Sequence, residues 1–147
     1  FSITDNVKIV LDKEKEAKLD DINTYKLFSN KVYLSKQKLN NFFKLCKKSN
    51  KKIIGYGAPA KGNTLLNFCK IDSIMLPFTV DKSLQKQGLY LPGTHIPIKS
   101  PEEIKKSKPD YLLILPWNLQ NEIMDQMHFI RDWGGKFVIP IPEVKII

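Results

Sequence analysis

The residues best able to do chemistry in this chain lie in Gly55-Tyr56-Gly57-Ala58-Pro59-Ala60-Lys61-Gly62. A short β-branched run, Lys52 to Tyr56, leads into this segment, and an apolar helical pattern, Ala60 to Lys70, leads out. Gly55-x-Gly57-x-x-Ala60 between a strand and a helix is the Gly/Ala form of the dinucleotide-binding fingerprint. Gly55 permits a tight turn, Gly57 lets backbone approach a phosphate without a Cβ, and Ala60 lets the helix pack closely. The helix start then offers unpaired N–H groups and partial positive charge to an anion. Tyr56, Ala58 and Lys61 belong to the same candidate site. The order Lys61-Gly62 excludes a Walker A loop, which needs Gly before Lys and then Ser or Thr. Asp81 ends the next expected strand, where an acidic residue is placed to accept from a ribose hydroxyl.

Two further segments could join this site. Lys86 to Ile98 gathers Gly88, Tyr90, Gly93, Thr94 and His95 after the second strand. Ligands of open α/β sheets bind outside the C-terminal strand ends, where this loop belongs. His95 could donate to a phosphate or act as a base, or be an ordinary loop histidine bonded to backbone. Pro116-Trp117-Asn118 follows the Tyr111–Leu115 strand. Asn118 is most simply a helix cap and Trp117 a core-rim residue, but both are also candidates to contact a ligand. The substrate-binding candidates are thus Gly55, Tyr56, Gly57, Ala58, Lys61, Asp81, Tyr90, Thr94, His95, Trp117 and Asn118. No catalytic set and no metal-ligand cluster emerges from the sequence. His128 shares a helix face with Met124 and Met127 and is read as structural.

The elements that must position these residues alternate. Residues 1–21 look like a linker or tail, with a short strand expected at Val7–Leu11. Residues 22–50 read as a connector helix: Tyr25, Phe28, Val32, Leu39, Phe42 and Cys46 form an apolar stripe, with a kink or break expected near Ser35. Residues 51–147 carry strands at 52–56, 75–80, 111–115 and 137–141, with irregular chain over 82–99. Helices are expected at 60–70, at 101–107 behind a Ser100 cap, and from an Asn118 cap to Trp133, stopped by Gly134-Gly135. Strands 111–115 and 137–141 are continuously apolar, as when both faces of a sheet are covered. The fold class is therefore α/β: a Rossmann-like parallel sheet with helices on both faces, preceded by an N-terminal connector helix.

Composition agrees with a single globular domain of 147 residues, 42% hydrophobic and 27% charged. No apolar run is long enough to span a membrane and no secretory signal is visible. A start at Phe1 suggests a piece of a longer chain. Cys46 and Cys69 match no metal or redox spacing and read as buried free thiols in a reducing, cytoplasmic setting. The net charge is +9, with 13 Lys against 6 acids in residues 1–52 and 11 Lys or Arg against 9 acids in 53–147. The run Lys44, Lys47, Lys48, Lys51, Lys52 could meet phosphates of a nucleic acid. No base-reading motif accompanies it, and a solvated helix face is the preferred reading.

Longer stretches carry a family resemblance. Lys52-Ile-Ile-Gly-Tyr-Gly-Ala-Pro-Ala-Lys-Gly-Asn-Thr-Leu-Leu-Asn67, Thr79-Val-Asp81, Lys86 to Ile98, Pro109-Asp-Tyr-Leu-Leu-Ile-Leu-Pro-Trp-Asn118 and Trp133-Gly-Gly-Lys-Phe-Val-Ile-Pro140 resemble the C-terminal domain of sugar C-methyltransferases. The resemblance spans about residues 25–144. It implies a parent protein with a zinc-binding cysteine-rich region, a methyltransferase domain that binds S-adenosylmethionine, and this domain, which helps hold a nucleotide-linked sugar. The cofactor is then expected in the methyltransferase domain, absent from this chain. That domain of the same parent chain becomes the expected partner, and the isolated chain should not transfer methyl groups. The alternative is a nicotinamide-binding domain of an oxidoreductase, for which Asp81 would favour NAD over NADP.

Overall fold

The computed structural model describes residues 4–147. It falls into two compact units, one ending at Leu34 and one beginning at Ser35.

The first unit holds α1 (Asp5–Glu16) and the opening turns of α2 (Ile22–Lys48). The strand expected at Val7–Leu11 is helix instead. Val7, Val10 and Leu11 have helical, not alternating, spacing, and the Lys/Glu-rich run that follows favours helix. After α1, Lys18 takes a left-handed φ of 52°. The next helix starts under the Asp21 carboxylate, which accepts from the Asn23 N–H at 2.8 Å. Tyr25 donates its hydroxyl to the Leu19 carbonyl at 2.6 Å. No residue of α1 is buried. This unit is charge-balanced in sequence. The excess resides in the following stretch, where residues 36–52 carry seven lysines and no acid.

The second unit is built on a six-stranded sheet. Its strands are β1 (Ile53–Tyr56), β2 (Thr79–Val80), β3 (Ile98–Lys99), β4 (Tyr111–Ile114), β5 (Lys136–Ile139) and β6 (Lys145–Ile146). Their order is β3-β2-β1-β4-β5-β6, the Rossmann arrangement. The first five are parallel, and β6 returns antiparallel on β5, a strand the sequence did not suggest. Helices α3 (Ala60–Cys69), α4 (Glu102–Ser107) and α5 (Gln120–Gln126) connect them.

Alternation within β1 and β4 sends side chains to two cores. Ile53, Leu113 and Leu115 meet Leu39, Phe43 and Cys46 of α2 and Leu66 and Cys69 of α3. Ile54, Tyr56, Leu112 and Ile114 meet Ile104 of α4 and Ile123 of α5. Helices thus cover both faces, as the continuous apolar strands required. Helix α2 runs unbroken through Ser35, whose hydroxyl donates to the Pro142 carbonyl at 2.7 Å. A polar residue in the stripe here has a specific partner, so no kink is needed. Both cysteines are free and buried, and burial pushes the Cys46 thiol up to about 11.

Several expected boundaries move. The second strand shrinks to Thr79–Val80 because Asp72 organises the preceding residues into a turn, accepting from the Ile74 and Met75 amides. The irregular 82–99 segment contains β3, which pairs with β2 through Thr79 and Ile98. Ser100 does receive the Glu102 N–H, at 3.4 Å, but Glu103 turns to Lys106 and does not close a capping box. The helix expected from 118 to 133 is three pieces: a 3-10 turn at Trp117–Leu119, α5, and a second 3-10 stretch at His128–Trp133. Gly134 ends it in the left-handed conformation, as expected.

At the N-terminal edge of the sheet, Asp110 ties β1 to β4. It accepts from the Lys51 ammonium and the Lys52 N–H, both at 2.8 Å. The Lys51 bond first, and the Lys52 amide second, hold its carboxyl below the ordinary 3.8. A folded value below the unfolded one stabilises above 3.8 and is lost as the pH falls through the lower folded value. The urea midpoint of the wild type should therefore drop more steeply below pH 3.8 than that of Asp110→Asn. In the middle of the sheet, Leu113 is fully buried. Leu113→Ala should cost about 2–5 kcal/mol in urea unfolding, from lost transfer energy and a residual cavity.

Candidate functional site

The strand order places a topological switch between β1 and β4: the chain leaves β1 toward β2 on one side and β4 lies on the other. The crevice outside the C-terminal ends of such strands is where open α/β sheets bind ligands. The Gly57–Ala58 turn, Asp81 and the Pro116–Asn118 segment all meet there, as the sequence placed them.

The turn itself is self-occupied. Gly57 donates its N–H to the Val80 carbonyl at 2.6 Å, and its own carbonyl accepts the buried Thr79 hydroxyl at 2.8 Å. Ala58 donates its N–H to Asp81 Oδ2 at 2.7 Å, and its carbonyl accepts from the Lys86 ammonium at 3.2 Å. Asp81 also accepts the Ser83 N–H at Oδ1 and faces Lys86 at 3.3 Å. Its backbone carbonyl receives the Gln87 amide. The carboxylate expected to reach a ribose is thus engaged with the chain's own amides. In the first turn of α3, by contrast, the Ala60, Lys61 and Gly62 amides have no protein acceptor among the described residues, and no side chain caps this helix.

Gly57 has φ +89°, and a Cβ there would lie 2.6 Å from the Pro116 ring. The close helix–strand contact assigned to Ala60 belongs instead to Gly62. Ala60 is exposed at the helix start, whereas a Cβ on Gly62 would stand 2.8 Å from that of Leu115. Gly55 sits inside β1, its N–H bonded to the Phe78 carbonyl.

Lys61 reaches across the crevice. Its ammonium lies 4.7 Å above the Trp117 ring centroid and bonds to the Asn118 side-chain oxygen. Asn118 therefore does not cap a helix; it sits within the 3-10 turn and α5 begins after Leu119. Lys61, Trp117 and Asn118 form one clasp between the start of α3 and the segment after β4.

Beside Asp81 lies an open cavity of about 180 Å³. Tyr56, Gly57 and Asp81 form its strand side; Pro116, Leu119 and Ile123 form an apolar wall; Lys82, Glu122 and Gln126 stand around it. Lys82 bonds to the Gln126 side-chain oxygen, and the Gln126 amide donates to Glu122 Oε1 at 2.8 Å. Tyr56 is 5% exposed, and burial first, then the negative charges of Asp81 and Glu122, push its phenol above its ordinary 10.0. It is therefore neutral and a hydroxyl donor at physiological pH. Lys82, Glu122 and Gln126 were missed in the sequence, and Lys86 was read only as the start of the 86–98 loop. The available signals were the lysine directly after Asp81 and the i, i+4 pair Glu122/Gln126 just after Asn118.

The 86–98 loop is ordered by its own contacts. Tyr90 bridges to Pro97, and the Pro92 carbonyl accepts from Asn67 on α3 at 3.0 Å. Tyr90 and His95 are exposed, and His95 has a left-handed φ of 54°. Thr94 is buried, with its hydroxyl unpartnered among the described residues. These three are not gathered with Tyr56 and Asp81 around the cavity. His128 makes a local bond to the Asp125 carbonyl at 2.9 Å.

The model of the C-methyltransferase C-terminal domain matches residues 2–142. The chain belongs to this family. Among curated relatives, a C-methyltransferase of Streptomyces niveus, NovU, is 44% identical over 97 residues, covering 66% of this chain and 23% of the relative. The chain thus spans less than a quarter of that relative's length. Among solved structures, UDP-D-quinovosamine 4-dehydrogenase from Vibrio fischeri aligns over 66% of this chain and 93% of its own, with 19% identity and a TM-score of 0.46. No helix among the described residues of this C-methyltransferase domain is long and apolar enough to cross a membrane, and they contain no group of His, Cys, Asp or Glu able to hold a metal ion.

Gly57 is a poor probe of ligand binding in this domain. Gly57→Val combines a left-handed φ with a clash on Pro116. It should lower unfolding stability by at least about 1–2 kcal/mol in urea titrations, whether or not a ligand is present. An unaltered midpoint would contradict the turn described here.

Proposed function

We propose that this C-methyltransferase C-terminal domain is the nucleotide-sugar-binding part of an S-adenosylmethionine-dependent enzyme. The observation that carries this reading is the cavity of about 180 Å³ at the switch point between β1 and β4, whose wall includes Gly57 of the turn that leads into α3. Its size supports a division of labour. Sites that hold whole drug-sized ligands measure roughly 300–1,000 Å³. The cavity therefore takes one ring of a substrate, while the free amides of Ala60, Lys61 and Gly62 and the Lys61 charge favour the diphosphate.

S-adenosylmethionine fits this domain poorly. The Gly57 and Ala58 amides and the Asp81 carboxylate, which a nucleotide cofactor would use, already bond to each other and to Val80. Methyl transfer is accordingly assigned to the remaining length of the parent enzyme, with that part as this domain's partner and the cytoplasm as its compartment. The domain's own contribution is to bind and orient the nucleotide-linked sugar that accepts the methyl group, not to move the methyl.

Saturation-transfer NMR of the 147-residue chain against UDP-, dTDP-, GDP-, CDP- and ADP-glucose tests the reading. At least one should bind saturably, S-adenosylmethionine should not compete, and NADH should not bind more tightly. Absence of binding across the whole panel would remove the function proposed here.

A further inference from the structure

The sequence pattern gives the hydroxyl-reading role to the acidic residue at the end of β2. The contacts of Asp81 make that assignment costly. Its Oδ2 accepts the Ala58 N–H and faces the Lys86 ammonium, and its Oδ1 accepts the Ser83 N–H. Turning this carboxylate toward a ligand would strip the part-buried Ala58 and Ser83 amides of their acceptor, which is unfavourable.

The unspent hydrogen-bonding capacity lies elsewhere in the same cavity. Tyr56 is 5% exposed and lines the cavity, yet its hydroxyl has no partner among the described residues. It can donate one bond and accept another. Glu122 uses Oε1 to receive the Gln126 amide, leaving Oε2 open. Gln126 is in turn held by Lys82, so the Glu122 side chain is oriented by a chain of two bonds before any ligand arrives. Pro116, Leu119 and Ile123 add apolar surface to the same cavity. The space equals about six waters at about 30 Å³ each. That is the room of a single five- or six-membered ring.

From this juxtaposition we propose that Tyr56 and Glu122 read two neighbouring hydroxyls of a sugar ring, one hydroxyl accepting from the Tyr56 phenol and the other donating to Glu122 Oε2. Asp81 is a positioning residue that holds the glycine turn. A phosphate is disfavoured in this cavity, because the Asp81 and Glu122 carboxylates outnumber its one ammonium, that of Lys82, which already bonds to Gln126, and the turn amides are occupied. The raised pKa of Tyr56, caused first by burial and then by the Asp81 and Glu122 charges, keeps the phenol in its donating form. This inference rests on the nucleotide-sugar reading above, and it applies to either ring of such a ligand, the ribose or the hexose.

The test is a ¹H–¹⁵N NMR titration of the 147-residue chain with UDP-glucose, UMP, glucose 1-phosphate and inorganic pyrophosphate, in the wild type, Tyr56→Phe and Glu122→Gln. Both substitutions keep side-chain size, and matching spectra without ligand check the fold. UDP-glucose should shift the Tyr56 and Glu122 resonances of the wild type. Each variant should weaken it about tenfold or more, the loss expected for a bond to a buried or charged partner. If UMP is weakened alone, the ring is the ribose; if glucose 1-phosphate is weakened alone, it is the hexose. Pyrophosphate should bind all three proteins equally. Wild-type affinity for UDP-glucose in both variants would overturn the inference, as would wild-type binding that leaves the Tyr56 and Glu122 resonances unmoved. Either result leaves the nucleotide-sugar reading standing if the panel above binds, whereas failure of the whole panel removes both.

Discussion

The bond from the Ala58 amide to the Asp81 carboxylate organises the edge of this domain at the C-terminal ends of β1 and β2. It joins the loop after β1 to the loop after β2, two segments that arrive from opposite ends of a crossover. Around it, the Val80 carbonyl, the Thr79 hydroxyl and the Lys86 ammonium engage the remaining backbone groups of Gly57 and Ala58. A turn with every polar group satisfied is rigid, since releasing any one leaves a buried donor or acceptor unpaired. Rigidity here fixes where α3 starts, how Lys61 reaches Trp117 and Asn118, and how wide the crevice stands between β1 and β4.

Much of the fold was legible because the two relevant periods are plain in the residues. Ile53, Ile54, Leu112, Leu113 and Ile114 are apolar without alternation, which only a sheet covered on both faces permits. Gly134 marked the end of the last helical stretch through its need for a left-handed residue. What stayed hidden was set by distant partners. The length of β2 depends on the Asp72 turn, and β3 exists only because Thr79 and Ile98 come into register. The antiparallel β6 has no turn signature of its own; its pairing with Val138 and Ile139 is a tertiary choice.

The candidate site divides along the same line. Local chemistry located the turn, Asp81, Lys61 and the Trp117–Asn118 segment at one edge of the sheet. It did not reveal who bonds whom. A glycine motif specifies that backbone can approach something closely, and here that something at Gly57 is Pro116 as well as β2. An acidic residue at a strand end is a hydrogen-bond acceptor, but the amides it accepts from belong to the protein. Glu122 and Gln126 were invisible because nothing in an i, i+4 polar pair on a short helix distinguishes a cavity rim from ordinary solvent-facing surface. The Tyr90–His95 loop illustrates the reverse: conspicuous composition, explained largely by its packing against Asn67 of α3.

The sheet's two borders have a bearing on how this domain behaves at high concentration. Border strands with free backbone groups are templates on which other molecules add strands. On one border, β3 spans only Ile98–Lys99 and follows Pro97, which has no N–H to offer. On the other, β6 runs against the grain of its neighbours, covers β5, and is itself only Lys145–Ile146, with a lysine facing outward. Neither rim presents the long, flat, apolar ladder that seeds fibrils, so the tightly knit parallel centre is shielded from intermolecular stacking by margins too brief to copy.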